Sequence, residues 1–247
     1  DKDAIPAVGS AVVMDVNTGA VLACATYPSY DLNTYYQNYE ALSKDKSSPL
    51  WNRALMSTYE PGSTMKPAIA AAGLEEGVIT ETSKFYCSHI YRQFTDTTFK
   101  CLGSHGWIDV KNALNQSCNI YFYETGRLLG INRMNDYCTR FGLGQKTGVE
   151  INESSGVLAG IAYREAHGGT WYPGDTVQAA IGQSDNLFTP IQLCSYVSTI
   201  ANGGTRYRAH FVKSVKSSDY SETLLSNDGV VLNETGVSQN SIRIVKE

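Results

Sequence analysis

No apolar run in this sequence approaches the roughly 20 residues that a helix needs to cross a bilayer. No leader with a basic start, an apolar stretch and a small-residue cleavage site opens it. Excess positive charge is missing as well: lysine and arginine number 20 against 24 aspartates and glutamates, for a formal net charge of −4. Nothing here matches the basic surplus that neutralises phosphates, so nucleic acid is not an expected partner. Internal repeats and low-complexity tracts are absent, which excludes solenoids and long linkers. What is present is ordinary globular material, 247 residues with 42% hydrophobic and 18% charged. That suffices for one large domain or two small ones. The opening stretch Asp1 to Val8 reads as the middle of something longer.

The N-terminal part predicts a β-hairpin over residues 9–27. Ser10 to Val16 is one strand, Asn17-Thr18-Gly19 the turn and Ala20 to Thr26 the return. Both strands are apolar at nearly every position, which predicts a sheet covered on both faces. Pro28 to Pro49 is a polar, Tyr-rich loop or short-helix region. Helices are expected from Pro67 to a stop at Gly77, from an Asp109 cap to Gln116, over Ile120–Leu129, and over Asn132–Phe141. Asp175 is expected to cap Thr176–Ile181. Thr189-Pro190 opens the clearest helix, which closes at Gly203-Gly204. Tyr86–Trp107 and Val149–Trp171 read as irregular, Arg206–Val215 as a strand and Ser217–Asn240 as exposed. Strands first and helices after suggest an α+β domain.

The chain is organised around Tyr59-Glu60-Pro61-Gly62-Ser63-Thr64-Met65-Lys66. A Pro-Gly turn delivers a serine, and a lysine follows at i+3, on the same face of a helical turn. A serine hydroxyl is a weak nucleophile at neutral pH, and a lysine with a lowered pKa is a competent base for it. The ring of Pro67 would clash with the Ser63 carbonyl four residues back, so a kinked or 3₁₀-like first turn is expected. Taken alone, Ser-x-x-Lys is also an ordinary surface helix start. Ser117-Cys118-Asn119, at a predicted helix junction, supplies a possible second half of a site. Ser-x-Asn alone is also an ordinary helix cap.

Together with their flanks, these stretches resemble the transpeptidase domain of class B penicillin-binding proteins. The resemblance runs through Val12 to Gly19, Pro28 to Asn33, Asn52-Arg53-Ala54, Tyr59 to Pro67, His105-Gly106, Ala113 to Asn119, Phe141 to Gly144, Ala180 to Gln183, Thr189-Pro190 and Ile200 to Gly204. It implies a penicillin-binding/β-lactamase-like fold, an antiparallel sheet packed by helices with an all-helical subdomain. Residues 1–247 would form a partial domain, with hairpin 9–27 and a helical part 58–204. The implied activity is D,D-transpeptidation through an acyl-serine on Ser63, with Lys66 as base, Ser117 as proton relay and Asn119 holding Lys66 and the substrate amide. Implied partners are peptidoglycan stem peptides ending in D-Ala-D-Ala, β-lactams, and elongation or division proteins. The implied place is the extracytoplasmic face of the bacterial membrane, by way of an N-terminal anchor. No cofactor is required for that chemistry. The alternatives are a non-catalytic scaffold, a β-lactam sensor or a β-lactamase.

One departure stands out. The family's Lys-Thr/Ser-Gly motif lies far downstream of Ser-x-Asn, and the Lys-Thr-Gly here, Lys146-Thr147-Gly148, comes too soon. It is set aside as a decoy. The true motif is expected after Glu247, in a C-terminal remainder that would supply the missing strands, the cation facing the substrate carboxylate and one oxyanion donor. The other donor would be the Ser63 amide.

Six cysteines occur, and Cys87, Cys101 and Cys118 fall with His105 in one segment. Three thiols and an imidazole suit tetrahedral zinc, and His89 is a substitute ligand. A Cys87–Cys101 disulfide and free thiols are the competing readings. Cys24, Cys138 and Cys194 read as core residues. His167 and His210 carry no assigned role.

Overall fold

The computed structural model describes residues 7–247, so most of the expectation for Asp1–Val8 lies outside the described residues. The hairpin forms as expected, with β1 (Gly9–Met14) antiparallel to β2 (Val21–Tyr27) in the register Gly9↔Tyr27 to Met14↔Val21. Gly19 takes φ +77 in the turn, where its amide donates to the Asp15 carbonyl at 2.9 Å. One face of the hairpin packs Met14, Val12 and Val21 against Leu55, Val149, Ile191 and Ala209. The other face is open, with Val13 52% and Leu22 66% exposed, so the expectation of two covered faces is corrected. Side chains alternate across a strand, and among the described residues no element packs on the outer side. Among the described residues the sheet is two-stranded, extended only by a parallel bridge between Ala20 and His210.

The Tyr-rich region contains a 3₁₀ turn at Leu32–Thr34 and helix α1 (Tyr35–Lys44), and Asn52 caps the short α2 (Arg53–Met56). A 3₁₀ turn at Gly62–Met65 runs into α3 (Lys66–Glu75). From Lys66 to Gly73 only Pro67 is not fully buried, as expected of a helix apolar on all sides. It is the centre of the main core, surrounded by α4 (Val110–Asn115), α5 (Asn119–Leu129), α6 (Ile131–Arg140) and, from the far end of the chain, α10 (Gln239–Lys246). Small residues allow the close packing: a Cβ on Gly73 would lie 2.8 Å from the Thr125 methyl on α5.

The stretch expected to be irregular carries β3 (Phe85–Cys87), β4 (Ile90–Tyr91), β5 (Phe99–Lys100) and β6 (Gly106–Ile108). They pair β3 with β6 and β4 with β5. Within the Gly-rich loop lies α7 (Ile161–Ala166). Helix α8 (Pro173–Ala179) starts earlier than expected, and Asp175 is its third residue, accepting the Tyr172 amide at 2.8 Å. Helix α9 (Pro190–Ala201) has the reciprocal Thr189–Gln192 capping box that its sequence advertises.

The expected strand Arg206–Val215 is two strands, β7 (Thr205–Tyr207) and β8 (Ser214–Lys216). They are separated because His210 turns back to the hairpin, its amide donating to the Gly19 carbonyl at 3.1 Å. The stretch expected to be merely exposed contains β9 (Thr223–Ser226), paired with β8, and β10 (Val231–Glu234), paired with β7. The architecture is α+β, as expected.

Candidate active site

The serine turn is held from three sides. Gly62 takes φ +55, and its amide donates to the Gly182 carbonyl at 2.9 Å. Tyr59 and Phe188 exchange backbone hydrogen bonds of 2.9 Å each. The Ala68 amide, an orphan donor in the first turn of α3, donates to the buried Tyr196 hydroxyl at 3.0 Å. The expected 3₁₀ character is present, with the Lys66 amide donating to the Ser63 carbonyl. Ser63 is thereby exposed at a helix start while Lys66, three residues on, is 1% exposed. The Ser63 amide sits at the start of the 3₁₀ turn, where N–H groups lack intrahelical partners.

Ser117 reaches this turn through an unusual backbone. Its φ is +52, uncommon for a residue other than glycine. The conformation is fixed by the Ser117 amide on the Leu114 carbonyl at 3.1 Å and the Cys118 amide on the Ala113 carbonyl at 2.8 Å. It turns both the carbonyl and the hydroxyl of Ser117 toward Lys66. Lys66 Nζ donates to the Ser117 carbonyl at 2.8 Å, to Ser117 Oγ at 3.0 Å and to Asn119 Oδ1 at 2.7 Å. Three acceptors therefore match three ammonium protons. Ser117 Oγ in turn donates to Ser63 Oγ at 2.8 Å. The link from base to nucleophile runs through Ser117, with no hydrogen bond between Lys66 and Ser63 themselves among the described residues. Asn119 is oriented by its Nδ2, which donates to the Lys100 carbonyl at 3.3 Å.

The four residues expected to act together are thus brought together. Sequence reasoning missed Tyr196, the Lys100 carbonyl and Phe122, whose ring centroid lies 5.6 Å from Lys66 Nζ. No sequence signal marks the Lys100 carbonyl, since any residue supplies one. Burial pushes the Lys66 ammonium down to about 8, against the opposing pull that negative charge on Cys101 and Cys118 exerts. A lysine so shifted gives up its proton close to neutral pH, which suits a general base.

Directly behind Asn119 lies the cysteine cluster. The Sγ atoms of Cys87, Cys101 and Cys118 and a ring nitrogen of His105 all lie within 4.8 Å of one another. His105 Nδ1 is 3.4 Å from Cys87 Sγ and 3.6 Å from Cys101 Sγ, and the Cys101 and Cys118 sulfurs are 4.0 Å apart. Tetrahedral zinc with bonds of about 2.3 Å to sulfur and 2.0–2.1 Å to nitrogen needs ligand separations of about 3.5–3.8 Å. The pairs at 3.4, 3.6 and 4.0 Å lie near these values, and the four atoms, spread over no more than 4.8 Å, need only a small contraction to close a tetrahedral set. All six cysteines are free thiols here, so the Cys87–Cys101 bridge is not formed. His89 is not part of the cluster. Burial raises the Cys101 thiol, but amides of Gly103, Asn119 and Ile120 outweigh it and the net shift is downward. Burial pushes the Cys118 thiol up to about 12. The Asn119 amide donates to Cys101 Sγ at 3.2 Å, so the cluster and the candidate active site share a hydrogen bond.

Lys146-Thr147-Gly148 plays no part in this arrangement. The Thr147 amide and hydroxyl donate to the Glu153 carboxylate at 3.0 and 2.8 Å, and the Gly148 amide does so at 2.7 Å. The segment is a loop tied to a buried carboxylate.

Residues 9–247 match the family described as the penicillin binding protein transpeptidase domain. The chain belongs to this family. It is 34% identical over 219 residues to the peptidoglycan D,D-transpeptidase MrdA of Salmonella typhimurium, an alignment covering 83% of this chain and 35% of that protein. The chain thus spans about a third of the length of that relative. A solved structure described as showing structural coordination of polymerization and crosslinking by a peptidoglycan synthase complex superimposes with TM-score 0.85 at 32% identity. It is covered to 41%, and 96% of this chain is matched. Penicillin-binding protein A of M. tuberculosis, solved as an imipenem acyl-enzyme complex, superimposes with TM-score 0.83 at 25% identity, over 96% of this chain and 55% of the other. The penicillin-binding transpeptidase fold is therefore shown for this chain.

Proposed function

We propose that the protein containing this chain is a D,D-transpeptidase that cross-links peptidoglycan stem peptides through an acyl-serine on Ser63. The observation that carries the reading is the continuous path from Lys66 Nζ through Ser117 Oγ to Ser63 Oγ, with spacings of 3.0 and 2.8 Å. Ser63 Oγ attacks the carbonyl carbon of the penultimate D-Ala, and its proton passes by way of Ser117 to neutral Lys66. When the C–N bond breaks, the same path returns a proton to the departing D-Ala amine. An amine of a second stem then attacks the ester carbonyl, and Ser63 recovers its proton as the C–O bond breaks. Asn119 holds Lys66 in place throughout and presents its amide edge to the substrate. A β-lactam enters the first half of the cycle at the same serine.

Cysteines 87, 101 and 118 with His105 would hold structural zinc, fixing the loop before Asn119 and taking no part in proton transfer. The whole protein would work at the extracytoplasmic face of the cell membrane with elongation or division proteins. Among the described residues no helix is long and apolar enough to cross a membrane. Labelling with a fluorescent penicillin tests the reading. A stable covalent adduct on Ser63 that disappears in Ser63→Ala is expected. Absence of label on folded full-length protein would favour a scaffold, and rapid loss of label by hydrolysis would favour a β-lactamase.

A further inference from the structure

A cavity of about 550 Å³ opens between the β4–β5 loop and the start of α8. Phe94, Phe99 and Tyr172 give it aromatic walls, and Asp96, Asp175 and Gln178 are among its polar groups. Among the described residues no lysine, arginine or histidine lines it. Two connections link it to the serine turn. Phe99 precedes Lys100, whose carbonyl holds Asn119 Nδ2. Helix α8 ends at Ala179, and the turn that follows leads through Ala180 and Ile181 to Gly182, whose carbonyl accepts the Gly62 amide next to Ser63.

The polar groups differ in what they still need. Asp175 is committed, with Oδ2 on the Tyr172 amide at 2.8 Å and Oδ1 on Arg164 Nη2 at 3.3 Å. Asp96 is exposed, and no lysine or arginine among the described residues pairs with it. Gln178 Oε1 is shut off from water and has no hydrogen-bond partner. A buried acceptor without a donor is costly, and rotation about the broad terminal torsion of the side chain can offer it to the cavity. Aromatic faces, one uncompensated carboxylate, one unmet acceptor and no cation form the complement of a primary ammonium on an apolar stem.

We infer that this cavity receives the ammonium-bearing side chain of a diamino acid in a stem peptide. The inference rests on the transpeptidase reading above and names a recognition element for its substrate. Two stems meet in that reaction, the acyl donor and the amine acceptor, and a diamino acid in either would present this chemistry.

The test titrates two probes onto the full-length Ser63→Ala protein by NMR, so that no acyl-enzyme forms. The probes are Nα-acetyl-L-lysinamide and Nα-acetyl-L-Lys-D-Ala-D-Ala, each compared with its Nε-acetylated form. At least one free amine is expected to bind about five- to tenfold more tightly than its acetylated partner, the strength of one partly desolvated cation–π and charge contact. The Asp96→Asn/Gln178→Leu double variant should erase that preference. A preference shown by the lysinamide as well assigns the cavity to the acceptor stem. One confined to the D-Ala-D-Ala peptide assigns it to the donor. Equal binding of free and acetylated probes, or a preference that survives in the double variant, overturns the inference. Penicillin labelling of Ser63 in the unmodified protein is a separate measurement, so failure of the transpeptidase reading is seen independently.

Discussion

Gly62 and Gly182 meet backbone to backbone, the amide of one donating to the carbonyl of the other at 2.9 Å. A Cβ on Gly182 would fall 2.7 Å from the Gly62 nitrogen and still closer to its carbonyl oxygen. Gly182 also takes φ +73, where an L side chain is strained. Gly182→Ala must therefore push the turn that carries Ser63. A displacement of about 1 Å at a reacting group costs on the order of a hundredfold in rate. Penicillin acylation in this variant should fall at least tenfold with a lowered melting temperature, measured by stopped-flow labelling and thermal unfolding. Unchanged acylation would show that the turn is positioned from elsewhere.

Burial of Lys66 sets the sign of a pH dependence. Its pKa is pushed from 10.5 down to about 8, so the neutral base forms well below the ordinary lysine range. The acylation rate by penicillin should rise with pH, with a midpoint near 8, and level off above it. Stability follows the same protons. Between about 8 and 10.5 the unfolded chain holds a proton that the folded one has released, so stability attributable to Lys66 rises with pH across that window and is at its lowest below it. Lys66→Met should abolish acylation and remove the Lys66 contribution to both slopes. Urea titrations across this pH range check the second.

Much of this site was legible because its chemistry is carried by residue types at fixed spacing. Ser63 and Lys66 sit at i and i+3, and Pro67 forced the 3₁₀ turn that the structure contains. Ser117 and Asn119 followed the same logic. The hairpin was legible from its turn, but its open face was not, because Val13 and Leu22 look like core residues in any local window. The pairing of β7 with β10 was missed because both strands are short, and pairing across about 27 residues, as between Arg206 and Asn233, leaves no local periodicity. Asp175 was misplaced by three residues because the cap residue, Tyr172, carries no capping side chain of its own.

Tyr196 was unreadable as a site residue, yet its hydroxyl takes the Ala68 amide in the first turn of α3. It is fully buried, so no water replaces the hydroxyl if it is removed. Tyr196→Phe leaves a buried amide without a partner, at a cost of about 1–3 kcal/mol. The unfolding free energy should fall by that amount. Penicillin acylation should fall more modestly than in Gly182→Ala, because the side-chain network of Lys66 stays intact. A variant as stable as the parent would mean that the Ala68 amide finds another acceptor.

The cysteine cluster gives the sharpest test of how the site is braced. Cys101 contacts both His105, at 3.6 Å, and the Asn119 amide, at 3.2 Å, so whatever holds Cys101 also holds Asn119. Protein purified without chelators should contain one zinc per chain by elemental analysis, and cobalt substitution should give the absorption of a tetrahedral thiolate site. Because structural zinc contributes directly to folding free energy, chelation should lower the melting temperature and expose Cys87, Cys101 and Cys118 to thiol reagents. Acylation should slow as Asn119 loses its brace, while Cys138, fully buried in the core, stays unreactive. Cys101→Ser should reproduce the chelated state, and Cys194→Ser should not. Metal-free protein with the parent's stability and acylation rate would assign these four side chains to packing alone.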